Sequence, residues 1–173
     1  MLSQRMSDAI NKQITGEFYS AYLYLSMAAH FETENLQGFA KWMRVQAQEE
    51  ASHALIFFNF LSDRGGRPLL AAVEGPPVDF GTPQEVFKKV KDHERKVTAA
   101  IDELADLALA EKDHATRALL NFFVTEQVEE QAVTGSLHAR LKLINGDPSG
   151  ILFLDRELGA RVFSVPPALA GKL

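Results

Sequence analysis

The sequence predicts an all-α protein: a bundle of four long helices with one long crossover between helices 2 and 3, followed by a short fifth helix. Three observations carry this prediction. Four segments repeat apolar residues at alternating three- and four-residue steps, which is the spacing of one buried helix face. Polar side chains interrupt each of these faces near its middle. A stretch rich in Gly and Pro, without periodicity, separates the second segment from the third.

Capping and turn-forming residues set the ends of the helices. Ser3 or Ser7 can start the first helix, and Asn35 is a candidate N-cap for the second. Thr82-Pro83-Gln84-Glu85 combines a cap, a proline at the first helical position and a capping-box glutamate. Asp113 can cap the fourth helix. The predicted helices span about 4–31, 36–64, 83–111, 114–145 and 148–158, and the tail 159–173 is expected to be loosely held.

Residues 65–81 form a connection that selects the topology. Links between antiparallel helices need only about 2–8 residues. Fully extended, this stretch could reach roughly 55 Å, whereas a helix of about 28 residues is roughly 40 Å long. It can therefore run the full bundle height and make helices 2 and 3 parallel, within a single domain over 1–173. The alternative is a disordered linker between two hairpins.

The polar interruptions repeat with fixed spacing. Glu17 precedes Glu50 by 33 residues (17 to 50) and His53 by 36 (17 to 53). The second half has the same spacing from one glutamate to a pair at i and i+3 on the next helix. Two such hairpins related by a pseudo-twofold axis would place six side chains in one layer. The three residues of the second half are Glu94, Gln127 and Glu130.

This layer indicates a shared cation site, because a buried carboxylate costs several kcal/mol unless it is paired or coordinated. Di-iron bundles use one Glu from each of two helices and Glu-x-x-His from each of the others. This chain keeps the first pair, Glu50 and His53, and has Gln127 and Glu130 in the second. Carboxylates and imidazole suit iron, manganese or zinc, and the lack of thiolate argues against copper(I).

Our assignment places two metals in this layer. Glu17, Glu50 and His53 bind the first, and Glu50 bridges to a second held by Glu94 and Glu130. The neutral Gln127 would orient a ligand, water or dioxygen. The alternative is a structural bundle with a buried acid network, but five carboxylates without a cation would repel one another.

Further acidic residues stand beside the layer. Glu49, Glu126, Glu129 and Glu130 form a group that we call the acidic flank. Glu126 lies one helical turn from both Glu129 and Glu130. We expect a third metal position here, and a solvated acidic surface is the alternative.

Composition excludes several functions. The 173-residue chain contains no cysteine, which rules out disulfides and thiolate metal sites. The net charge of −5 argues against binding nucleic acid. No apolar run is long enough to cross a membrane, and the N-terminus lacks the apolar core of a signal peptide. A cytoplasmic protein is the simplest interpretation.

From Gln4 to about Leu158 the chain closely resembles the ferritins, specifically the prokaryotic non-haem type. The matching residues are Glu17, Tyr24, Glu49-Glu50-Ala51-Ser52-His53, Glu94 and Glu126-Gln127-Val128-Glu129-Glu130. The resemblance implies a ferritin-like four-helix bundle that oxidises Fe(II) with dioxygen or peroxide at a ferroxidase centre. It also implies storage of ferric mineral in a hollow homo-oligomeric shell, commonly of twenty-four subunits.

The resemblance also implies roles for single residues. Gln127 and Tyr24 would assist the ferroxidase centre from beside the iron ligands. Tyr24 could hydrogen-bond a ligand carboxylate or donate an electron. The iron ligands become Glu17, Glu50, His53, Glu94 and Glu130. Glu49, Glu126 and Glu129 complete a third iron site.

Two residues of this chain differ from those of the haem-binding bacterioferritins. Bacterioferritins bind haem through a Met directly after the bridging Glu, where this chain has Ala51. They also have His in place of Glu130. We therefore expect no haem.

The alternative functions are a standalone di-metal oxidase or peroxidase such as a rubrerythrin, and a DNA-protecting mini-ferritin. A mini-ferritin has no helix after the fourth. Here the fifth helix is apolar enough to suggest burial against other subunits, through Ile151, Leu152, Phe153, Leu154 and Leu158.

Overall fold

The computed structural model describes residues 2–170, so Met1 and the last three residues of the predicted tail lie outside it. Within that range the chain is helical and contains no strand. The predicted all-α fold, with its long crossover and short fifth helix, is confirmed. The helices are α1 Gln4–Thr33, α2 Gln37–Asp63, α3 Pro83–Ala110, α4 His114–Ile144 and α5 Pro148–Leu158, followed by a 3-10 turn at Pro167–Leu169.

Local caps start three of the helices as predicted. The Ser3 hydroxyl accepts a hydrogen bond from the Met6 amide and begins α1. Thr82 and Glu85 form a reciprocal capping box at α3. The Asp113 carboxylate accepts from the Thr116 amide at α4. Each cap satisfies an amide that the first helical turn leaves without a partner.

The predicted cap for α2 is wrong. Asn35 has φ 58°, in the left-handed region, and it ends α1 instead of starting α2. The cap of α2 comes from α5, where Asp155 Oδ1 accepts from the amides of Gly38 at 2.8 Å and Phe39 at 3.0 Å. Because no residue of the local turn caps α2, the fifth helix supplies what the sequence near Asn35 lacks.

Two apolar clusters fill the bundle, one at each end. Phe39 of α2 and Phe87 of α3 meet in the upper cluster, with ring centroids 5.9 Å apart. Leu61 and Leu104, near the opposite ends of the same two helices, meet in the lower cluster. Helices α2 and α3 therefore run in the same direction, as the long crossover requires.

The crossover follows α1 along its length. Near the start of α1, the Asn11 side chain donates to Arg67 O and accepts from the Leu69 amide. Near its end, Ser26 donates to Pro77 O at 2.6 Å. These contacts contradict the alternative of a disordered linker between two hairpins. None of the helices within residues 2–170 is long and apolar enough to span a membrane.

The fifth helix and the tail differ in part from expectation. Leu154 and Leu158 are buried against the chain's own bundle, so the prediction that other subunits bury them is wrong. Leu152 and Phe153 remain 62% and 69% exposed. The tail was expected to be loosely held, yet Leu169 is buried in the lower cluster. Thus the tail runs from the upper to the lower end of the bundle.

Candidate metal centre

A layer of polar side chains lies between the two apolar clusters. Each of the four long helices contributes to it at mid-height, where the helical repeat turns the predicted positions inward. All six residues of the predicted layer are buried: Glu17, Glu50, His53, Glu94, Gln127 and Glu130.

Three of these residues form a compact ligand group. One ligand atom each from Glu17, Glu50 and His53 lies within 4.8 Å of the others, the only such group among residues 2–170. Glu50 Oε2 lies 3.6 Å from His53 Nδ1. Gln13 Nε2 donates to Glu17 Oε1 at 2.8 Å, which leaves Glu17 Oε2 buried without a hydrogen-bond partner. A buried carboxylate oxygen without a donor fits a position for a cation.

Glu94 is held by two donors from different helices. The Tyr24 hydroxyl donates to Glu94 Oε1. Gln127 Nε2 lies 3.3 Å from Glu94 Oε2 and 3.2 Å from Thr98 Oγ1. The amide nitrogen of Gln127 therefore faces a carboxylate of the layer.

Glu130 has a separate donor in α2. Gln46 Nε2 donates to Glu130 Oε2 at 3.2 Å, and Gln46 Oε1 is buried without a partner. Glu94 and Glu130 do not belong to a ligand group as close as that of Glu17, Glu50 and His53. Even so, burial raises the pKa of Glu130 and the negative charge of Glu94 raises it further, so the two carboxyl groups interact across the layer.

The carboxyl groups of the layer favour their protonated forms. Burial raises the pKa of Glu17 well above its ordinary value, and the charge of Glu50 raises it further. Burial likewise raises the pKa of Glu50, and Glu94 adds to the shift. Burial and then Glu94 raise the pKa of Glu130 to about 7. Desolvation and mutual repulsion thus make the layer a place where a cation can replace protons.

Tyr24 lies beside the layer as the sequence analysis expected. Burial and the charge of Glu94 raise the pKa of its hydroxyl, which keeps the hydroxyl as a donor. Its ring contacts the Trp42 ring edge-on, with centroids 6.4 Å apart. The structure also places Tyr24 next to His93, with ring centroids 6.1 Å apart.

His93 was not predicted as a site residue, yet it lies close to Tyr24 at the edge of the layer. Its Nε2 lies 2.8 Å from Ser20 Oγ, and the residue is half-buried. Burial, with a smaller effect of Lys96, lowers the pKa of His93 to about 4. His93 also lines a cavity of about 460 Å³ between α1 and α3 that reaches Gln13 and Glu17.

The acidic flank has an unexpected basic neighbour. Glu49 is partly buried, Glu126 is intermediate and Glu129 is exposed. Arg161, in the segment after α5, donates from one guanidinium nitrogen to Glu49 Oε2 at 2.5 Å. The flank therefore has a cationic neighbour at Glu49, and no close ligand group within residues 2–170 includes Glu49, Glu126 or Glu129.

Gln13 and Gln46 were not predicted as site residues. Each lies four residues before a glutamate of the layer, Glu17 or Glu50, and therefore on the same helix face. Each donates its amide to a layer carboxylate. The repeated Gln-x-x-x-Glu spacing was available in the sequence and could have identified both.

Comparison with known proteins gives one consistent family. The sequence model of the ferritin-like domain matches residues 7–144. The bacterial non-heme ferritin of Bacteroides fragilis is 45% identical over 161 residues, covering 93% of this chain and 100% of that protein. The bacterial non-heme ferritin of Staphylococcus aureus is 36% identical over 163 residues, covering 94% of this chain and 98% of that protein.

Solved structures agree with the sequence comparison. An open pore ferritin from the hyperthermophilic archaeon Archaeoglobus fulgidus is 49% identical with a TM-score of 0.92, covering 94% of this chain and 100% of that one. A humanized archaeal ferritin is 46% identical with a TM-score of 0.94, covering 95% and 99% of the two chains. Both the sequence and the backbone path are therefore similar over nearly the whole length.

Proposed function

This chain belongs to the ferritin family, and we propose that it stores iron by oxidising Fe(II) inside its own helix bundle. The observation that carries the proposal is the group formed by Glu17, Glu50 and His53, whose ligand atoms converge within 4.8 Å. Two carboxylates and one imidazole suit Fe(II). The unpartnered Glu17 Oε2 supplies a ligand atom that no protein donor occupies.

A second Fe(II) would bind between Glu50, Glu94 and Glu130. Glu50 would be the shared ligand, because its carboxylate belongs to the close group with Glu17 and His53 and also interacts electrostatically with Glu94 and Glu130. Gln127 is neutral and donates to Glu94, so it positions that carboxylate and binds the substrate weakly. Such uneven ligation favours release of the oxidised iron, as a storage protein needs.

The acidic flank would hold a third iron. Glu49, Glu126 and Glu129 continue the layer toward the solvent, and Glu130 belongs to both sites. Iron that leaves the centre can pass through carboxylates of intermediate exposure. Dioxygen or peroxide would accept the electrons that Fe(II) loses.

Storage requires a compartment, and we propose a hollow homo-oligomeric shell, with twenty-four subunits as the family resemblance implies. Leu152 and Phe153 on α5 supply exposed apolar surface for subunit contacts. The proposal requires no haem, nucleic acid or membrane, and it places the protein in the cytoplasm.

Aerobic loading with a large excess of Fe(II), followed by size-exclusion chromatography, tests the proposal. Iron and protein are both quantified across the elution profile. Iron in the hundreds per particle, eluting with a large assembly, would support storage. About two irons per chain on a small oligomer would favour a standalone di-metal oxidase or peroxidase, and no retained iron would favour a structural bundle.

Substitution of the bridging carboxylate tests the assignment of the centre. Glu50→Ala and the near-isosteric Glu50→Gln should both lose the fast phase of Fe(II) oxidation, by about 100-fold or more, because both remove the ligand that the two irons share. The assembly should still form, since the core clusters are untouched. Glu103→Ala, at an exposed position of α3, is the control. Stopped-flow oxidation rates equal to those of the parent would refute the role of Glu50.

A further inference from the structure

Arg161 brings a positive charge to the acidic flank from a distant part of the sequence. It lies three residues beyond the end of α5 (158 to 161), where the tail begins its return along α2. Its guanidinium donates to Glu49 Oε2 at 2.5 Å. The guanidinium carbon lies 4.6 Å from the centre of the Trp42 ring. The side chains of Arg161 and Glu49 are 25% and 21% exposed, so the pair is largely withdrawn from water.

The guanidinium is only partly satisfied in this position. Its second terminal nitrogen is buried without a hydrogen-bond partner. Arg140 offers a direct contrast, because it binds both oxygens of Glu157, at 2.7 and 2.6 Å. Two-point pairing of that kind is the usual geometry of a structural arginine. Arg161 is therefore held by its charge and by stacking on Trp42 rather than by a complete set of hydrogen bonds.

The charge of Arg161 acts on two members of the flank. Burial raises the pKa of Glu49, and Arg161 opposes that rise. Burial and Glu94 raise the pKa of Glu130, and Arg161 again opposes them. A single guanidinium thus acts on Glu49 of the flank and on Glu130, which the flank shares with the layer.

We propose that Arg161 is a built-in counter-cation of the acidic flank, which a third metal ion must displace from Glu49 before it can bind there. The proposal rests on the proposed function, and it adds a residue that sets the order in which cations bind. The guanidinium and a metal ion would compete for the carboxylate of Glu49 and would repel each other. The flank is therefore the last position to fill and the first to empty.

Trp42 provides an intrinsic reporter, since it is the only tryptophan of the chain. Displacement of Arg161 removes a cation from the face of its ring, which changes the indole fluorescence. Zn(II) is a suitable probe because it accepts carboxylate and imidazole ligands and is not oxidised. Titration of the metal-free protein with Zn(II), with binding followed by calorimetry and by fluorescence, separates the flank from the two tighter positions.

The parent protein should show a fluorescence change only with its weakest Zn(II). Arg161→Gln should bind that ion about tenfold more tightly, which corresponds to about 1.4 kcal/mol, without the late fluorescence change. Arg161→Lys retains the charge and should keep the weak binding. Arg140→Gln removes an arginine whose partner lies outside the flank, and it should behave as the parent. Glu49→Gln in the Arg161→Gln background should abolish the gain.

Equal or weaker binding of the last Zn(II) by Arg161→Gln would overturn the proposal, as would two bound Zn(II) per chain in every variant. Circular dichroism and elution volume show whether Arg161→Gln retains the parent fold. The rate of the first Fe(II) oxidation phase is the separate test of the proposed function. It depends on Glu50, whereas the affinity for the last Zn(II) depends on Arg161, so failure of either proposal can be recognised independently.

Discussion

Four glutamate carboxyl groups are buried in one layer of the bundle: Glu17, Glu50, Glu94 and Glu130. Burial raises the pKa of each above the ordinary glutamate value of 4.5. In the metal-free protein these groups hold protons that the unfolded chain releases near its ordinary pKa. The free energy of unfolding must therefore depend on pH. A raised pKa stabilises the folded state below about 4.5, and that contribution is lost as the pH rises through the folded value.

Glu130 gives the clearest prediction, because its pKa is raised to about 7. The free energy of unfolding of the metal-free protein should fall between about pH 5 and about pH 8. Glu130→Gln should reduce this fall by up to about 3 kcal/mol, because it removes one group that must lose a proton. Urea unfolding in the presence of a chelator measures this free energy of unfolding, and Glu103→Gln, at an exposed position, is the control. A fall as steep in Glu130→Gln as in the parent would contradict the prediction.

The role of Tyr24 can be tested separately from that of the proposed iron ligands. Its hydroxyl donates to Glu94, and the raised pKa keeps it protonated. Tyr24→Phe should preserve the number of bound Zn(II) ions but slow Fe(II) oxidation roughly 3- to 10-fold, because Glu94 loses a donor that orients it. Tyr19→Phe is the matched control, since the Tyr19 ring also contacts His93, with ring centroids 6.1 Å apart. Unchanged oxidation in Tyr24→Phe would limit Tyr24 to packing.

Among the helices, the starts that could be predicted are those capped by a residue close by in the sequence. Ser3, Thr82 and Asp113 each bind an amide three residues further on. The cap of α2 could not be predicted in this way, because Asp155 lies 117 residues from Gly38 in sequence. Local propensity favoured Asn35, and the tertiary contact with α5 took its place.

The same distinction applies to the candidate centre. The six residues of the polar layer follow from helical periodicity, which is a local property of each segment. Arg161 follows no such pattern, because its contact with Glu49 depends on the path of the tail across the bundle. The surroundings of His93 could not be predicted for a related reason: they depend on how α3 packs against Ser20 and Tyr24 of α1.

The junction of α2 and α5 allows a test with paired glycines. A Cβ at Gly38 would lie 1.6 Å from the carbonyl oxygen of Asp155, so Gly38→Ala must push α5 away. We expect a loss of roughly 2 kcal/mol or more in the free energy of unfolding. Gly135→Ala in α4 meets no atom within 4 Å and should instead stabilise by about 0.5–1 kcal/mol. Denaturant unfolding of both variants measures the difference, and equal effects would refute the close contact.

At the scale of the whole molecule, the parallel arrangement of α2 and α3 places the two hairpins so that their glutamates meet at mid-height. The upper and lower apolar clusters then close the layer at both ends. The cavity between α1 and α3 reaches Glu17 from the side of the bundle. The crossover is therefore a functional part of the fold, because a short link would not bring the second hairpin into this register.

The exposed face of α5 allows subunit assembly to be tested separately from Fe(II) oxidation. Phe153 is 69% exposed, whereas Leu154 beside it is buried in the chain's own core. Phe153→Asp should therefore leave the bundle folded and its first Zn(II) binding intact, while a charge in a subunit contact reduces the size of the particle. Phe153→Leu keeps an apolar side chain and should assemble as the parent does. The aspartate variant should oxidise the first two Fe(II) per chain but retain far less iron after chromatography, since retention needs an enclosed shell. A full-size particle that retains as much iron as the parent would show that α5 is not part of a subunit contact.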